Sequence, residues 1–421
     1  MTSLRGHHDF RLLWIGQTVS QLGASVSSFA FPLLGYALTG STLLASTIGA
    51  VHLLGLVLTL LPAGVLADRV DKRRLMRGAL LAGTLSYASL AVALAVGGPH
   101  LAHLLAVAFV GGVAAGLFDP AESAAVRQVV TREQLSTALS LNQARQHVAS
   151  LTGGPLGGLL YGLTRWAPFL ADAASYALAW LLLGRLRTDL GPASRPADEA
   201  DAPAGLRALR HELAQGLVFV WRHPFMRVLT LWSASANLAI NTLFGVAVLR
   251  LVTLGVHPFR IGLVETAAGL AGIVGAVLAP RIIERTPTGA LTVLIAWTPV
   301  PLLVPMALWP HPAVVGAGVA LVLLPNAAGN AGIGAYRTLI TPEHLLARVQ
   351  SAMQLASMSV MPLSPLLAGL LLEVLPGTVA VLATGLVCAL SALVPTLSRT
   401  VRNVPRPDQW PTSPEVATVA T

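Results

Sequence analysis

The stretch that decides the fold is residues 64–77, with the sequence G-V-L-A-D-R-V-D-K-R-R-L-M-R. Seven of the ten residues from Asp68 to Arg77 are charged, and they follow an apolar run that ends at Leu66. Charged side chains are costly in the hydrocarbon core of a bilayer, so this abrupt change is typical of a short loop between two membrane-spanning helices. We therefore predict that the chain leaves a membrane here and at once re-enters it.

The composition of the whole chain also favours a membrane protein. Hydrophobic residues make up 54% of the 421 residues and charged residues 11%, with a mean hydropathy of +0.71. A soluble protein of this composition would have too few polar side chains to cover its surface. The fold class predicted is an all-α polytopic membrane protein. Twelve apolar segments are long enough to span the hydrocarbon as helices, at residues 11–36, 43–66, 75–96, 101–121, 137–162, 168–186, 226–250, 258–280, 289–308, 312–334, 347–372 and 376–397.

The basic residues divide unevenly between the two sides of the predicted topology. With the N-terminus in the cytoplasm, 24 of the 27 lysines and arginines fall in cytoplasmic segments, and only Arg165, Arg250 and Arg260 fall outside. This bias is the one that the positive-inside rule describes. We expect a multi-pass protein of the cytoplasmic membrane with both termini in the cytoplasm. The net charge of +9 comes from these small groups, so no nucleic-acid partner is predicted.

The chain contains an internal repeat. Residues 126–135 align with residues 336–345 at an offset of 210, and Pro155-Leu156 falls on Pro365-Leu366 at the same offset. Duplication explains this better than chance, and two parallel halves are typical of secondary transporters. The predicted divisions are a six-helix half at 1–188, a cytoplasmic linker at 189–222, a second six-helix half at 223–398 and a disordered tail at 399–421. Apolar residues at helical spacing in the linker predict an amphipathic helix, which lies either in the membrane interface or against cytoplasmic loops.

Sites for other kinds of chemistry are not found in the sequence. The single cysteine, Cys388, can form neither a disulfide framework nor a cysteine-based zinc site. A phosphate-binding Gly-x-x-x-x-Gly-Lys-Ser/Thr motif is absent, as is a nucleophile with a base and an orienting group. We expect no enzyme activity, no catalytic residue, no cofactor and no metal.

The opening stretch is similar to the signature loop of the major facilitator superfamily, G-x-L-A-D-R-x-G-R-R, and the resemblance spans nearly the whole chain. Asp71 stands where the second glycine is usual. The residues that match are Gly64, Asp68, Arg69, Arg73 and Arg74. The resemblance implies twelve transmembrane helices in two pseudo-symmetric six-helix bundles, the major facilitator fold.

Three further segments narrow the resemblance. Residues 120–158, 216–225 and 341–348 resemble the export group that includes enterobactin exporters and macrolide-efflux proteins. Residues 154–158, G-P-L-G-G, also resemble a motif of antiporters. The Arg-x-x-Gln-Gly motif of drug/proton antiporters is missing from the fourth helix. The implied function is secondary active export of a small amphipathic molecule (a drug, siderophore or metabolite) by a monomer, with protons as the coupling ion. An uncoupled facilitator or importer, or a membrane sensor or scaffold that transports nothing, remains the alternative.

Two sets of residues are predicted to serve conformational change. In members of the superfamily, charged contacts of the signature loop hold the two six-helix halves together on the cytoplasmic side. The resemblance therefore implies that Gly64, Asp68, Arg69 and Arg73 act in the switch between conformations. Small residues around a proline allow helices to approach closely and to bend. Gly154, Pro155, Gly158 and Pro365 are therefore predicted to form a packing hinge, with ordinary tight packing as the alternative.

Acidic residues within the predicted spans are candidates for proton coupling, because ionisable groups in the membrane are costly unless they have a function or a partner. Glu265 lies within span eight, where it either carries a proton, recognises a cation or forms an ion pair with Arg250 or Arg260. Asp119 and Glu122 lie three residues apart near Arg127, and for them a structural ion pair is favoured. Asp172 begins span six, where capping of the helix is favoured over an ion pair with Arg165.

Three pairs of amide side chains recur at a spacing of four residues, which places each pair on one face of a helix. They are Gln17 and Gln21, Asn237 and Asn241, and Asn326 and Asn330. Spans one, seven and ten contribute to the central cavity in the superfamily, so the resemblance implies contacts with substrate. Hydrogen bonds between neighbouring helices are the alternative.

Overall fold

The structure is a computed structural model and describes residues 7–191 and 206–410. The side chains of residues 60, 61, 65, 67, 68, 132 and 206–212 lie outside the description. The described residues form two compact units. The first unit holds residues 7–191 and 252–266, and the second unit holds residues 206–251 and 267–410.

All regular structure in the described residues is helical. Six helices precede residue 191, and they are α1 (His8–Thr39), α2 (Thr42–Arg69), α3 (Lys72–Val96), α4 (Leu101–Val129), α5 (Arg132–Leu163) and α6 (Ala167–Gly184). The helices after residue 205 are α7 (Leu206–Arg222), α8 (Pro224–Thr253), α9 (Pro258–Arg285), α10 (Thr288–Trp297), α11 (Pro299–Leu308), α12 (Pro312–Leu323), α13 (Asn326–Ile340), α14 (Leu346–Ser359), α15 (Leu363–Val374), α16 (Gly377–Leu397) and α17 (Arg399–Arg402).

Eleven helical segments of the described chain are long and apolar enough to cross a membrane. The fifth predicted span, α5, is not among them. Its 32 residues would span about 48 Å at the rise of an α-helix, so length is not the reason. Residues 142–147 have the sequence N-Q-A-R-Q-H, and glycines follow them, which lowers the apolar character of α5. With α5 included, the helices correspond to the twelve predicted spans.

Three predicted spans of the second unit are each broken into two helices. The breaks fall between α10 and α11, between α12 and α13, and between α14 and α15. Pro299, Pro325 and Pro362 lie at these breaks. Because proline has no N–H and its ring crowds the preceding turn, it interrupts the hydrogen-bond ladder of a helix.

The helix α7 packs against α14 within the second unit. Gln215 accepts a hydrogen bond from Arg348 at 2.6 Å. A Cβ atom on Gly216 would overlap the carbonyl group of Arg348 and lie 3.1 Å from Ala352 Cβ. The helix α14 lies within predicted span eleven and is not a cytoplasmic loop, so the two settings predicted for the linker helix stay predictions.

The chain beyond α16 is ordered as far as Trp410, so the predicted disorder is wrong for residues 399–410. Val401 and Val404 are buried, and the backbone amide of Gly289 donates to the carbonyl of Val404 at 3.0 Å. The Trp410 ring lies 5.5 Å from the ring of Tyr336. Apolar side chains at intervals along this segment offset the entropy cost of ordering it, although its composition is polar.

The helices α1 and α6 make a close contact in the first unit through glycine. A Cβ atom on Gly23 would lie 2.7 Å from Asp172 Oδ1 and 2.8 Å from Ser175 Cβ. A Cβ atom on Gly16, two turns earlier on α1, would meet only Ala179 and Leu182 at distances of 3.4 Å or more. The two glycines therefore face the same helix with different amounts of free space.

We predict that Gly23→Ala destabilises the protein and that Gly16→Ala does not. Overpacking a tight contact costs about 1–3 kcal/mol. Thermal unfolding of the purified protein in detergent checks this, with a lower midpoint expected for Gly23→Ala alone. Equal midpoints for the two variants would contradict the close contact at Gly23.

Candidate functional site

The signature stretch is mostly helix. The helix α2 continues through Arg69 and α3 begins at Lys72, so only Val70 and Asp71 connect them. The prediction that residues 64–77 form a loop is therefore wrong in extent. Gly64 lies inside α2, and a Cβ atom there would meet nothing within 4 Å. Packing within the described residues gives no reason for glycine at that position.

Asp71 caps α3. Its side chain accepts a hydrogen bond from the backbone amide of Arg74 at 3.1 Å. Its backbone has φ −56° and ψ 116°, a conformation that needs no glycine. Because a helix leaves its first amide groups without partners, an aspartate at the N-cap stabilises α3. The departure from the usual glycine thus has a structural reason.

The basic residues at the start of α3 hold the segment that leaves α6. Arg73 donates to the carbonyl of Thr188 at 2.6 Å, and Lys72 donates to the carbonyl of Gly191 at 3.0 Å. Asp9, on α1, accepts from the amide and the hydroxyl of Thr188, both at 2.6 Å. These contacts fix the exit of α6 inside the first unit.

Gly64 and Arg69, two further switch candidates, are not among the described partners of this cluster. Arg69 is exposed, and the Asp68 side chain lies outside the described residues. The switch roles of Gly64, Asp68, Arg69 and Arg73 stay predictions.

The glycines of α5 form two faces. A Cβ atom on Gly157 would lie 2.9 Å from the carbonyl of Val26 on α1, and one on Gly153 would overlap Ser25. The other face contacts the start of α9, whose residues 258–266 belong to the first unit. Here a Cβ atom on Gly158 would lie 2.5 Å from the carbonyl of Pro258, and one on Gly154 would lie 2.9 Å from the carbonyl of Gly262.

The contact between α5 and α9 is closest at Gly262. A Cβ atom there would overlap the carbonyl group of Gly154 and lie 2.6 Å from Pro155 N. One turn further along α9, Thr266 donates to the carbonyl of Leu151 at 2.9 Å. The two backbones therefore touch directly, and predicted hinge residues Gly154, Pro155 and Gly158 all lie in this contact.

Glu265 lies in the same contact. Its carboxylate faces Gly154, because a Cβ atom on that glycine would lie 2.6 Å from Glu265 Oε2. In the part of the chain that the structure describes, Glu265 has neither an ion pair nor a hydrogen bond from its side chain. Arg250 donates instead to the carbonyls of Met306 and Ala307 at 3.1 and 3.0 Å. Glu265 thus combines an acidic group with a helix contact that has no room for a larger residue.

Glu122 forms an ion pair, but not with the arginine expected from the sequence. Its carboxylate lies 2.9 Å from Arg145 Nη2, and Arg145 is 1% exposed at its side chain. Arg127, the predicted neighbour, is exposed. Because α4 and α5 pack side by side, Arg145 reaches Glu122 from the facing helix. Asp119 is exposed, three residues before Glu122 on α4.

The second unit contains a cavity of about 130 Å³ that brings several predicted amides together. Asn237, Asn326 and Asn330 line it, with Trp232 and Ser391 among the other lining residues. The lining includes no charged residue. Pro299 also lines the cavity and Asn326 follows the break at Pro325, so two helix breaks adjoin it.

The other predicted amides lie elsewhere. Asn241 donates to the carbonyl of Asn237 at 2.8 Å. Gln17 is buried in the first unit, and its Nε2 has no partner among the described residues. Gln21 is half-buried on α1. Of the six amides, the structure thus brings three to one cavity.

Pro365 lies in the first turn of α15. The neighbouring Ser364 accepts a hydrogen bond from Thr242 on α8 at 3.4 Å through its carbonyl. A Cβ atom on Gly245 would lie 2.8 Å from Ala368 Cβ. Pro365 thus belongs to a tight contact of α15 with α8 in the second unit.

Comparison with known proteins identifies the family. A sequence model of the Major Facilitator Superfamily matches residues 13–334. The chain belongs to this superfamily. It is 27% identical over 366 residues to a protein of Mycolicibacterium fortuitum named multidrug efflux pump Tap, with 82% of this chain and 85% of that protein covered.

Solved structures of superfamily transporters share the fold. The nucleoside transporter NupG has a TM-score of 0.72 at 10% identity, and 92% of this chain and 98% of that chain are covered. A bacterial homologue of the iron transporter ferroportin has a TM-score of 0.69 at 15% identity, covering 94% of this chain and 99% of that one. The predicted major facilitator fold is confirmed, and the protein is a multi-pass membrane transporter.

Sequence reasoning missed two features of this transporter. The partner of Glu122 is 23 positions away on the next helix, which no local spacing reveals. Asp172 does not cap α6, since the N-cap is Trp166, and it accepts from Ser27 on α1 instead. A signal for the second feature was available, because Gly23 and Ser27 lie one turn apart and give α1 a face of small residues toward α6.

We predict that Asp71→Ala lowers the stability of the transporter by about 0.5–2 kcal/mol, because α3 loses its N-cap. Asp71→Gly, which restores the residue usual in the superfamily, is expected to cost only a few tenths of a kcal/mol. The midpoints of thermal unfolding of both variants check this order. A larger loss for the glycine variant would show that the cap is not the reason for aspartate.

We predict that Gly158→Ala disturbs the contact between α5 and α9. The added methyl group would lie 2.5 Å from the carbonyl of Pro258, and overpacking costs about 1–3 kcal/mol. Gly162→Ala is the matched control, since its Cβ atom would lie 3.4 Å from the nearest atom of His257. Thermal unfolding is expected to separate the two variants, and equal stability would contradict the direct backbone contact.

Proposed function

We propose that this transporter exports a small amphipathic molecule across the cytoplasmic membrane by alternating access and exchanges it for protons. Both termini lie in the cytoplasm, and the monomer is the working unit. The relative from Mycolicibacterium fortuitum that is named an efflux pump supports the direction of transport. The bias of basic residues toward one side supports the orientation.

The observation that carries the proposal is the position of Glu265 in the contact between α5 and α9. Its carboxylate lies against Gly154, in a contact that Gly262 and Thr266 extend along α9. An acid inside a membrane is expensive to keep ionised without a partner. Glu265 therefore takes up a proton while the helices are in contact and releases it when their separation admits water.

The glycine contact supplies the mechanical part of this proposal. Two helices that touch through backbone atoms slide or separate without repacking large side chains. The contact has two states, closed and parted, and the charge of Glu265 favours the parted state. Proton binding thus biases the equilibrium between conformations, which is what coupling requires.

The cavity of the second unit is proposed to bind part of the substrate. Its amides offer hydrogen bonds, and Trp232 with Ile240 and Ile295 offers an apolar wall. Amides together with apolar side chains suit an amphipathic molecule. Because the lining is uncharged, the cavity would bind an uncharged part of that molecule. Gln17 and Gln21 are proposed to contact the substrate from α1.

The ion pair of Glu122 with Arg145 is proposed to be structural. Removing one partner of a buried pair leaves an uncompensated charge, which costs about 3–5 kcal/mol. Asp119 is exposed beside this pair and is retained as a second candidate for proton exchange.

We predict that cells containing the protein accumulate less of at least one member of a panel of fluorescent amphipathic dyes than cells without it. Collapse of the proton gradient with a protonophore is expected to abolish the difference. Unchanged accumulation of every dye would favour a sensor or scaffold. Efflux that survives the collapse would favour an uncoupled facilitator, and increased accumulation would favour an importer.

We predict that Glu265→Gln reduces efflux of a responsive dye to the level of cells without the protein, because the amide cannot exchange a proton. Glu284→Gln is the control, since Glu284 lies on the same helix and is exposed. Both variants must reach the membrane in equal amounts, measured by immunoblotting. Full efflux by Glu265→Gln at normal abundance would remove Glu265 from the coupling mechanism.

A further inference from the structure

Another carboxyl group of the first unit is fully buried, away from the contact between α5 and α9. Asp172 on α6 is 0% exposed, and Ser27 on α1 is 1% exposed. The distance from Ser27 Oγ to Asp172 Oδ2 is 2.5 Å, and Ser175 Oγ lies 3.3 Å from Asp172 Oδ1. The transport mechanism proposed above makes no use of this cluster.

Positive charge does not compensate Asp172 in the described part of the chain. The helices packed against α6 are α1, α3 and α5. Tyr87 of α3 lies next to Ser27, Tyr176 lies one turn along α6, and Tyr161 of α5 packs on the same apolar cluster. These groups are neutral phenols. Arg77 of α3 lies over the ring of Trp180 at 4.0 Å. Arg165, between α5 and α6, is exposed and is not among the described ion pairs of Asp172.

The hydroxyl protons in the cluster are few. A serine hydroxyl has one proton to donate. Ser175 lies three residues after Asp172 on α6. Its Oγ is 2.7 Å from the backbone carbonyl of Asp172 and 3.3 Å from the carboxylate, so the Ser175 hydroxyl donates to the carbonyl. Ser27 Oγ lies 3.2 Å from the carbonyl of Ala24 as well as close to Asp172. While Asp172 is ionised, Ser27 donates its single proton to the carboxylate. A proton on Asp172 reverses this hydrogen bond, so that the carboxyl group donates to Ser27 and Ser27 donates to the carbonyl of Ala24.

A metal ion does not fit the same place. The carboxylate and hydroxyl oxygens are already in hydrogen-bond contact, and a bound cation would need several oxygen ligands arranged around it. The space on the α1 side is filled, since even a Cβ atom on Gly23 would lie 2.7 Å from Asp172 Oδ1. The smallest cation, the proton, is the ligand that this geometry accepts.

We propose that Asp172 is a proton-binding site of the first unit, occupied while α1 and α6 are in contact and emptied when water enters between them. An ionised carboxylate without a cation beside it is strongly disfavoured in an apolar interior. Asp172 therefore ionises only when α1 and α6 separate enough to admit water. This site is separate from Glu265 and stands whether or not Glu265 couples transport.

Infrared spectroscopy of the purified protein in lipid nanodiscs at neutral pH tests the proposal. A protonated carboxyl group has a C=O stretching band apart from the bands of ionised carboxylates. Because Glu265 is also proposed to hold a proton, the comparison is made in a Glu265→Gln background. There we expect this band to disappear when Asp172→Asn is added and to persist when Glu284→Gln is added, since Glu284 is exposed. Transfer into D₂O is expected to shift the band, because a bound proton that exchanges is replaced by a deuteron.

Two results would overturn the proposal. One is that the substitution Asp172→Asn removes only the absorption of an ionised carboxylate from the spectrum, which would mean that Asp172 carries no proton. The other is a band that D₂O never shifts, which would mean that the proton is permanently enclosed. If Asp172→Asn does not fold, Ser27→Ala serves instead, because loss of the hydrogen bond must move the band. The measurement uses no substrate, so its outcome is independent of whether a transported compound is found.

Discussion

Direct backbone contact between Gly154 on α5 and Gly262 on α9 is the constraint on which the first unit depends. A side chain on either glycine would occupy the space of the other helix. Helices in a membrane gain little from hydrophobic burial, because lipid is as apolar as the protein interior, so their association depends on close packing and polar contacts. The contact supplies both, since Thr266 adds a hydrogen bond to Leu151 beside the glycines. Any movement of α5 relative to α9 must begin by breaking this contact.

The acidic residues of the first unit show three ways of placing a carboxylate inside a membrane protein. Glu122 is paired with Arg145, which fixes both charges at the cost of desolvation. Asp172 is enclosed among hydroxyl groups, where it is proposed to hold a proton. Glu265 lies half-buried in a helix contact with neither kind of partner among the described residues. Only the last two carboxylates change charge without breaking an ion pair, which is why proton chemistry is proposed for them.

Much of the fold could be predicted from the sequence. Apolar segments of sufficient length predicted the spans, and the charged residues from Asp68 to Arg77 predicted the junction of α2 and α3. Both predictions succeeded because spans and junctions depend on local composition. The extent of that junction could not be predicted. Helix propensity carries α2 through Arg69, and Asp71 starts α3 at once, so the charges lie on helix ends. The prolines at the broken spans were visible, but whether a proline bends or breaks a membrane helix depends on neighbours that satisfy the freed backbone.

The candidate site was less predictable than the fold. The glycines of α5 were recognised, yet their division between α1 and α9 depends on how α5 is rotated, which the sequence does not specify. The partner of Glu122 was assigned to Arg127 by spacing along α4, whereas contact across two helices placed Arg145 there. Spacing along one helix predicts which residues share a face, and it succeeded for Asn326 and Asn330. It says nothing about which residue of a neighbouring helix comes opposite.

The two repeats place tight contacts at equivalent positions against different helices. In the first unit, α5 contributes glycines and meets α9 through backbone atoms. At the equivalent positions of α15 the residues are Ser364 and Ala368, which are larger, and they meet α8, where the small residue is Gly245. A hydrogen bond from Thr242 to the carbonyl of Ser364 accompanies it. Two helices can approach closely when only one of them has a small residue at the contact. Either helix can therefore carry that residue. Among the described residues, Glu265 of α9 lies beside Gly154 of α5, so this contact combines close packing with a group that a proton can neutralise.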